Sequence, residues 1–462
     1  MSSFLDRERT VAPPGFSRWL VPPAAIAVQM CVGEIYGFSV FNIPLTRAIG
    51  ITKSIPDQDW TVPHVVLATY SLGLVMLGLS AAFLGKWVER EGPRKTMFAS
   101  ACCFCSGLVV ASLGVHLHSL LVVALGYGVI GGIGLGLGYI APVSTLVKWF
   151  PDKPGMATGL AIMGFGSGAL VGAPFGVELM AHFKTAASVG VQETFLVMAA
   201  CCFAMMNFAA CIVRVPAPGW QPEGFTAATQ SKKLVTTAQV AADEAMKTPQ
   251  FYLLWGVLCC NVTAGIGILA QASPMCQDMF GVSPVVAGGF VGLLSIFNTV
   301  GRFLWSSASD FTGRKAIYCI YFLLGCALYC LIPFSQGINS VPLFVALTCV
   351  IISMYGGGFA TIPAYLRDLF GTVQVGAIHG RIITSWSVAA VLGPQLVTYL
   401  SAYQRARGVP RGEAYNSTLY IMAGILLVGL ACNLLVRPVD SRHHLAETGG
   451  TGVGATGAGV QA

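Results

Sequence analysis

Three side chains able to carry charge, Glu34, Arg302 and Arg381, stand inside long apolar stretches of this 462-residue chain. A charge in hydrocarbon is costly, so each one marks a place where chemistry is expected. Arg302 lies eight residues ahead of Asp310. At 1.5 Å per residue that is about 12 Å into a helix ending at the acid, close to the middle of a bilayer. Ser295, Asn298, Arg302 and Ser306 follow i, i+3, i+7, i+11, a single polar stripe that should line a water-filled cavity. Arg381 stands roughly seven residues, about 10 Å, inside another stretch, with Thr384 and Ser385 on its face. A guanidinium does not shed its proton, and its planar fork matches a carboxylate with two parallel hydrogen bonds. A pair of such forks suits a small dianion held between them. The competing reading is that one arginine snorkels to the headgroups and serves packing alone, and it weighs more on Arg381, which is nearer the surface.

Glu34 is harder to place. At 100° per residue Gln29, Gly33 and Tyr36 share one helix face and Glu34 lies away from it, so only one of the two faces is central. If Glu34 faces the cavity, it is a counter-ion for the empty site or a protonatable coupling group. Otherwise it pairs structurally with a neighbouring helix.

The elements that carry these groups follow from composition. Hydrophobic residues make up 55% of the chain and charged ones 10%, against roughly a quarter charged in a soluble domain. A water-soluble globule is excluded, because too little polar surface exists to cover it. The net charge of +7 is scattered singly or in pairs, with no basic stripe that would suit nucleic acid. Apolar runs of about 20 residues, the length needed to cross a bilayer, are expected at approximately 20–40, 62–84, 96–115, 120–146, 157–179, 194–213, 251–274, 285–305, 316–333, 341–365, 377–400 and 417–436. Each run is continuous, so helix is the spanning form. The first run carries Glu34, is too long for a signal peptide's apolar core and lacks a small-residue cleavage site, so it is expected to stay attached. Lys and Arg concentrate on one set of loops, Lys86, Arg90, Arg94, Lys95, Lys232, Lys233 and Lys247 among them, which places those loops and both termini in the cytoplasm.

The chain repeats. Gly85-x3-Glu89-x2-Gly92 matches Ser306-x3-Asp310-x2-Gly313 at one constant offset, and Gly155 and Gly159 meet Gly376 and Gly380 at the same offset. Two six-helix halves, 1–213 and 250–437, are therefore expected, joined by a cytoplasmic linker at 214–249 and followed by a disordered tail at 438–462. Residues 238–247 of the linker read as a possible interfacial helix. Six spans repeated around a few buried charges is the plan of a secondary transporter, whose central site is exposed alternately on either side as two halves rock.

The segment from Gly85 to Lys95, with Glu89, Arg90, Gly92 and Arg94, resembles the signature loop of the major facilitator superfamily, with Glu89 where Asp is usual and Pro93 added. Arg302 to Asp310, followed by Gly313 and Arg314, resembles its second-half copy. Lys148-Trp-Phe-Pro-Asp-Lys-Pro-Gly-Met-Ala-Thr-Gly159 and Gly376-Ala-Ile-His-Gly-Arg381 are similar to the oxalate/formate antiporter group of that superfamily. The resemblance implies an all-α membrane protein of twelve helices in two pseudo-symmetric bundles, with Arg302 and Arg381 as the substrate-holding cations. Asn298, Ser295, Tyr36, Gln29, Tyr139 and Trp386 complete the expected substrate set, and the signature-loop residues gate access.

The expected function is alternating-access transport of small carboxylates, oxalate or formate among them, by antiport in a bacterial inner membrane, by a monomer. Proton-coupled monocarboxylate symport through Glu34 is one alternative, and a non-transporting membrane sensor another. No enzyme is expected, since no span pairs a nucleophile with a base. No cofactor or metal is expected either. Gly126-Tyr-Gly-Val-Ile-Gly131 has the letters of a dinucleotide fingerprint but lies within a span, where it reads as close-packing glycine. Cys102-Cys-Phe-Cys105 lies within a span and lacks a second cysteine pair. His116 and His118 flank a tight turn that reads as an exposed loop rather than a metal site.

Overall fold

A computed structural model of the chain describes residues 4–47, 60, 62–186, 188–222, 236 and 238–445. Among the described residues, twelve helices are long and apolar enough to cross a bilayer. Numbered as spans 1 to 12, they are Arg18–Gly37, His64–Glu91, Pro93–His116, Leu120–Trp149, Pro154–Phe183, Val191–Ile212, Pro249–Leu269, Val286–Thr312, Arg314–Gly337, Val341–Phe370, Val375–Ala406 and Glu413–Leu435. All twelve expected runs are present as helix, which satisfies the backbone groups of each apolar run within the run itself. Phe83, Leu121 and Phe208 are exposed, as side chains that meet lipid tails are.

Spans 2 and 8 continue past the apolar limit into the two signature loops, where each turns on a glycine with positive φ, Gly92 at 86° and Gly313 at 90°. Only glycine adopts that region freely, which fixes the same tight corner at corresponding points of the two halves. Spans 3 and 4 approach each other at the glycines discounted above as a nucleotide loop. A Cβ on Gly126 would sit 2.8 Å from the Gly107 carbonyl oxygen, so the glycine stretch is a packing face.

Spans 1 and 11 are each broken along their length. Span 1 is α-helical over Val21–Gly33, tightens through Glu34–Gly37 and resumes at Ser39–Thr46. Span 11 is interrupted at Ile383, between Val375–Ile382 and Thr384–Ala406. Interrupted helices are where many transporters build their sites.

On the signature-loop side the halves are joined. Thr158 donates to the Ala360 carbonyl at 2.7 Å and Arg367 to the Pro151 carbonyl at 3.3 Å, and further along span 11, next to Trp386, Ser387 donates to the Leu74 carbonyl at 3.1 Å. On the opposite side, a cavity of about 440 Å³ separates them, lined by Asn42, Tyr70, Ser273 and Pro274 among others.

The linker departs from expectation. Only Ala242–Ala245 is helical, because the residues before it spend their backbone on the loop between spans 10 and 11. The Val240 amide bonds the Phe370 carbonyl and the Ala242 amide bonds the Gln374 side chain, each at 2.8 to 2.9 Å. Residues 438–445, expected to be disordered, have a defined path against the linker, with the Leu445 amide bonded to the Gln239 carbonyl at 2.7 Å. The remainder of the expected tail, 446–462, lies outside the described residues.

Candidate anion-binding site

The polar stripe on span 8 divides in two. Ser295 and Asn298 line the 440 Å³ cavity together with Tyr36, whereas Arg302 and Ser306 continue below its floor into the packed seam between the halves. Arg302 is 1% exposed. Space for it comes from glycine on both sides: a Cβ on Gly166 would sit 3.1 Å from its Nε, and one on Gly356 3.1 Å from its Cγ.

The guanidinium is held but not saturated. Nε donates to the Asn298 Oδ1 at 3.3 Å and Nη1 to the Ile162 carbonyl at 3.2 Å, while Nη2 has no partner among the described residues. The rings of Tyr36, Phe165 and Phe359 surround it at 5.9, 5.8 and 5.6 Å, near enough for cation–π attraction. Trp386 of span 11 closes the cage, 4.7 Å from Phe359, 5.5 Å from Phe165 and 6.0 Å from Tyr36. Tyr139 of span 4 stands 5.8 Å from Trp386 and 5.4 Å from Phe165. The Tyr139 hydroxyl and the Trp386 Nε1 are buried without a partner, like Arg302 Nη2. Tyr36 instead shares its hydroxyl with Tyr355 at 3.3 Å, bridging the halves.

A buried polar group left unpaired costs about 1–3 kcal/mol. Three such donors from spans 4, 8 and 11 lie around one fixed positive charge and five aromatic rings, an arrangement whose chemistry suits an acceptor-only anion with a small apolar body. No set of three His, Cys, Asp or Glu able to hold a metal exists among the described residues.

Three expected site residues lie elsewhere. Arg381 does not reach the cage. It turns to the linker, pairing with Asp243 at 2.7 Å and donating to the Ala242 carbonyl at 2.6 Å. It sits nearly two turns into the loop end of span 11, where the linker brings an acid within reach. Gln29 is buried, but its amide donates to the Tyr139 carbonyl at 2.9 Å and so ties span 1 to span 4. Glu34 points into the interior of the first half, where one oxygen accepts the Cys202 thiol at 3.4 Å and the other has no partner.

The signature residues sit at the closed side. Glu89 pairs with Lys148 and accepts the Gly376 amide at 2.9 Å. Asp310 accepts the Gly155 and Met156 amides at 2.9 and 2.8 Å and pairs with Arg314 at 2.5 Å. Arg314 also reaches Asp368 at 3.2 Å. Arg94 is buried and donates to the Phe4 carbonyl at 2.9 Å, with its guanidinium over the Phe4 ring, whereas Arg90 is exposed and pairs with its neighbour Glu91. Gly85 packs against Ala377 of span 11.

Phe165 and Phe359 are the site residues that charge and spacing do not reveal. Their signal is faint: each adjoins glycine, Gly164 and Gly166 for one and Gly358 for the other, as a ring filling space that neighbours vacate.

Comparison with known proteins agrees with the fold. The oxalate:formate antiporter of Oxalobacter formigenes is 23% identical over 378 residues, covering 82% of this chain and 83% of its own. Apicoplast pyruvate carrier 1 of Toxoplasma gondii is 23% identical over 438 residues, covering 84% and 76%. The solved transporter FucP, in its outward conformation, superposes with a TM-score of 0.63 at 13% identity over 90% of this chain and 99% of its own. The sequence profile of the Major Facilitator Superfamily matches residues 24–310 and 263–458, so this chain, with its twelve spans, belongs to that superfamily of membrane transporters.

Proposed function

We propose that the protein carries small monocarboxylates by alternating access, exchanging one anion for another. The observation that supports this best is a buried cation with a free donor inside an aromatic cage at the seam between the halves. Arg302 Nη2, Tyr139 Oη and Trp386 Nε1 are unpartnered in one aromatic cage. With Arg381 engaged by Asp243, the cage offers one positive charge instead of two. A monoanion neutralises it, whereas a dianion would leave a second carboxylate uncompensated among Phe165, Phe359 and Trp386, where desolvation is costly. Both relatives described above have names that give small carboxylates as their cargo, oxalate and formate for one and pyruvate for the other.

The anion enters through the 440 Å³ cavity, past Ser295 and Asn298, and takes the free donors. An empty site holds a buried charge without its counter-ion, so reorientation is easier when loaded, which favours exchange over net uniport. In the orientation expected from the Lys and Arg bias, the open cavity faces outward and the signature loops face the cytoplasm of a bacterial cell, the protein acting as a monomer.

Counterflow in reconstituted vesicles tests this. Vesicles preloaded with formate, lactate or pyruvate should exchange label rapidly, with oxalate and malonate weaker, and Arg302→Ala should abolish exchange while leaving the folded protein in the membrane. Normal exchange by that variant refutes the assignment.

A further inference from the structure

His379 takes no part in the cage, yet it is buried to 1% exposure and its Nε2 has no partner among the described residues. It lies seven residues before Trp386 on span 11, about 10 Å closer to the signature loops. Its ring faces that of Tyr139 at 5.7 Å and 46°, and the Tyr139 hydroxyl is likewise unpartnered. An apolar side chain would suit this sealed layer better, because an imidazole with nothing to bond forfeits the hydration it had in water.

Tyr139 and His379 belong to opposite halves. Their contact lies between Trp386 and the bonds that close the loop side, Glu89 to Gly376 among them. A rocking motion that opens this side must part span 4 from span 11 and turn the seam between the two rings into the exit channel. Each residue then presents a hydrogen-bond donor, O–H from Tyr139 and a ring N–H from neutral His379, to whatever passes.

We propose that Tyr139 and His379 form a second, loop-side subsite for the carboxylate, occupied after the anion leaves Arg302 and before it reaches water. This rests on the carrier reading above and adds to it a residue with a sided role. Arg302 serves the anion from either face, whereas His379 serves only traffic through the loop side.

The test is sided kinetics in oriented proteoliposomes, with formate and lactate as probes and orientation fixed by accessibility of a terminal tag. His379→Leu should raise KM at the loop face about tenfold, the effect of one hydrogen bond to a charged group, and leave KM at the far face within about twofold. His379→Gln, which keeps a donor, should recover part of the loss, and a thermal melt of each variant confirms folding. Equal KM changes at both faces would overturn the proposal, as would unchanged kinetics in a His379→Leu protein that melts higher, which would make the imidazole a packing residue. Arg302→Ala, measured alongside, separates the two ideas: if it transports normally the carrier reading itself fails, whereas a sided defect confined to His379 variants requires only the subsite.

Discussion

Glu89 accepts the backbone amide of Gly376 at 2.9 Å, and at the corresponding place in the second half Asp310 accepts that of Gly155 at the same distance. The interval from Glu89 to Asp310 along the chain equals the interval from Gly155 to Gly376. One bond is thus made twice, each time from a signature-loop acid to the start of a span in the other half. A carboxylate at a helix N-terminus gains from both the free N–H groups and the helix dipole. These two bonds favour the state in which the loop side is shut. Glu89→Gln combined with Asp310→Asn should therefore shift the population toward the loop-open form by about tenfold or more, taking about 1.5–3 kcal/mol for a hydrogen bond to a charged group. Labelling of a cysteine placed at position 158, buried in the seam here, checks it; unchanged labelling would show that apolar packing alone closes this side.

The role of Arg381 separates the structure most sharply from the sequence. Asp243 of the linker pairs with Arg381 of the second half and with Lys86 of the first, and so straps the halves together at the loop face. Asp243→Asn and Arg381→Gln should then have the same phenotype, altered turnover with substrate affinity within about twofold. A substrate-binding Arg381 predicts instead a large affinity loss in Arg381→Gln alone. Hydrogen bonds from Lys86 first, and then from Arg381, hold the Asp243 carboxyl down at about 2. A depressed carboxylate contributes stability that is present above its unfolded value near 3.8 and lost as pH falls through about 2. The strap should thus be indifferent to pH between about 5 and 8, and a turnover change in that window that vanishes in Asp243→Asn would count against this account.

The fold was legible because the bilayer imposes it: long apolar runs, glycine corners and an internal repeat at one fixed offset leave little freedom in architecture. The site was legible where a charge stood in hydrocarbon on a recognisable stripe, as Arg302 does. It failed at Arg381 because depth along a helix does not reveal whether a partner waits outside, and Asp243 is an unremarkable surface acid until the linker folds over. It failed at Phe165, Phe359 and His379 for a different reason. An aromatic ring or histidine in a membrane span is ordinary by composition, and its role comes from convergence of spans 4, 5, 10 and 11, a property of packing that no local spacing encodes. At Glu34 the helical wheel did separate the acid from the Tyr36 face, and the tightened turn over Glu34–Gly37 keeps the two apart.

Trp386 contributes both a wall and an unpartnered donor, and one substitution isolates the second. Trp386→Phe keeps a ring against Phe359 and Phe165 but removes Nε1. If that N–H bonds the carboxylate, KM for formate should rise about tenfold or more, corresponding to about 1.5 kcal/mol or more for a hydrogen bond to a charged group, with little change in the protein's melting temperature. Trp386→Ala should cost far more, because it also opens the cage to water. Identical KM values for wild type and Trp386→Phe would reduce the tryptophan to packing.

Glu34 gives the clearest contrast between exchange and proton-driven uptake. It lies in the first half with Cys202 as its one hydrogen-bond partner among the described residues, and the glycines of span 5 leave it room, since a Cβ on Gly172 would come 2.7 Å from its Cγ. The Tyr36 hydroxyl on the same turn faces the other way, across the seam to Tyr355. A coupling acid must exchange protons with whichever cavity is open, and Glu34 is walled from the seam by the backbone of its own helix. Glu34→Gln should therefore preserve formate exchange within about twofold and leave its pH dependence unchanged. The measurement is lactate uptake into vesicles with and without an imposed pH gradient. If the gradient accelerates uptake in the wild type and no longer does so in Glu34→Gln, proton symport replaces exchange as the mechanism, and the turn at Glu34–Gly37 becomes the hinge through which protonation reaches Tyr36.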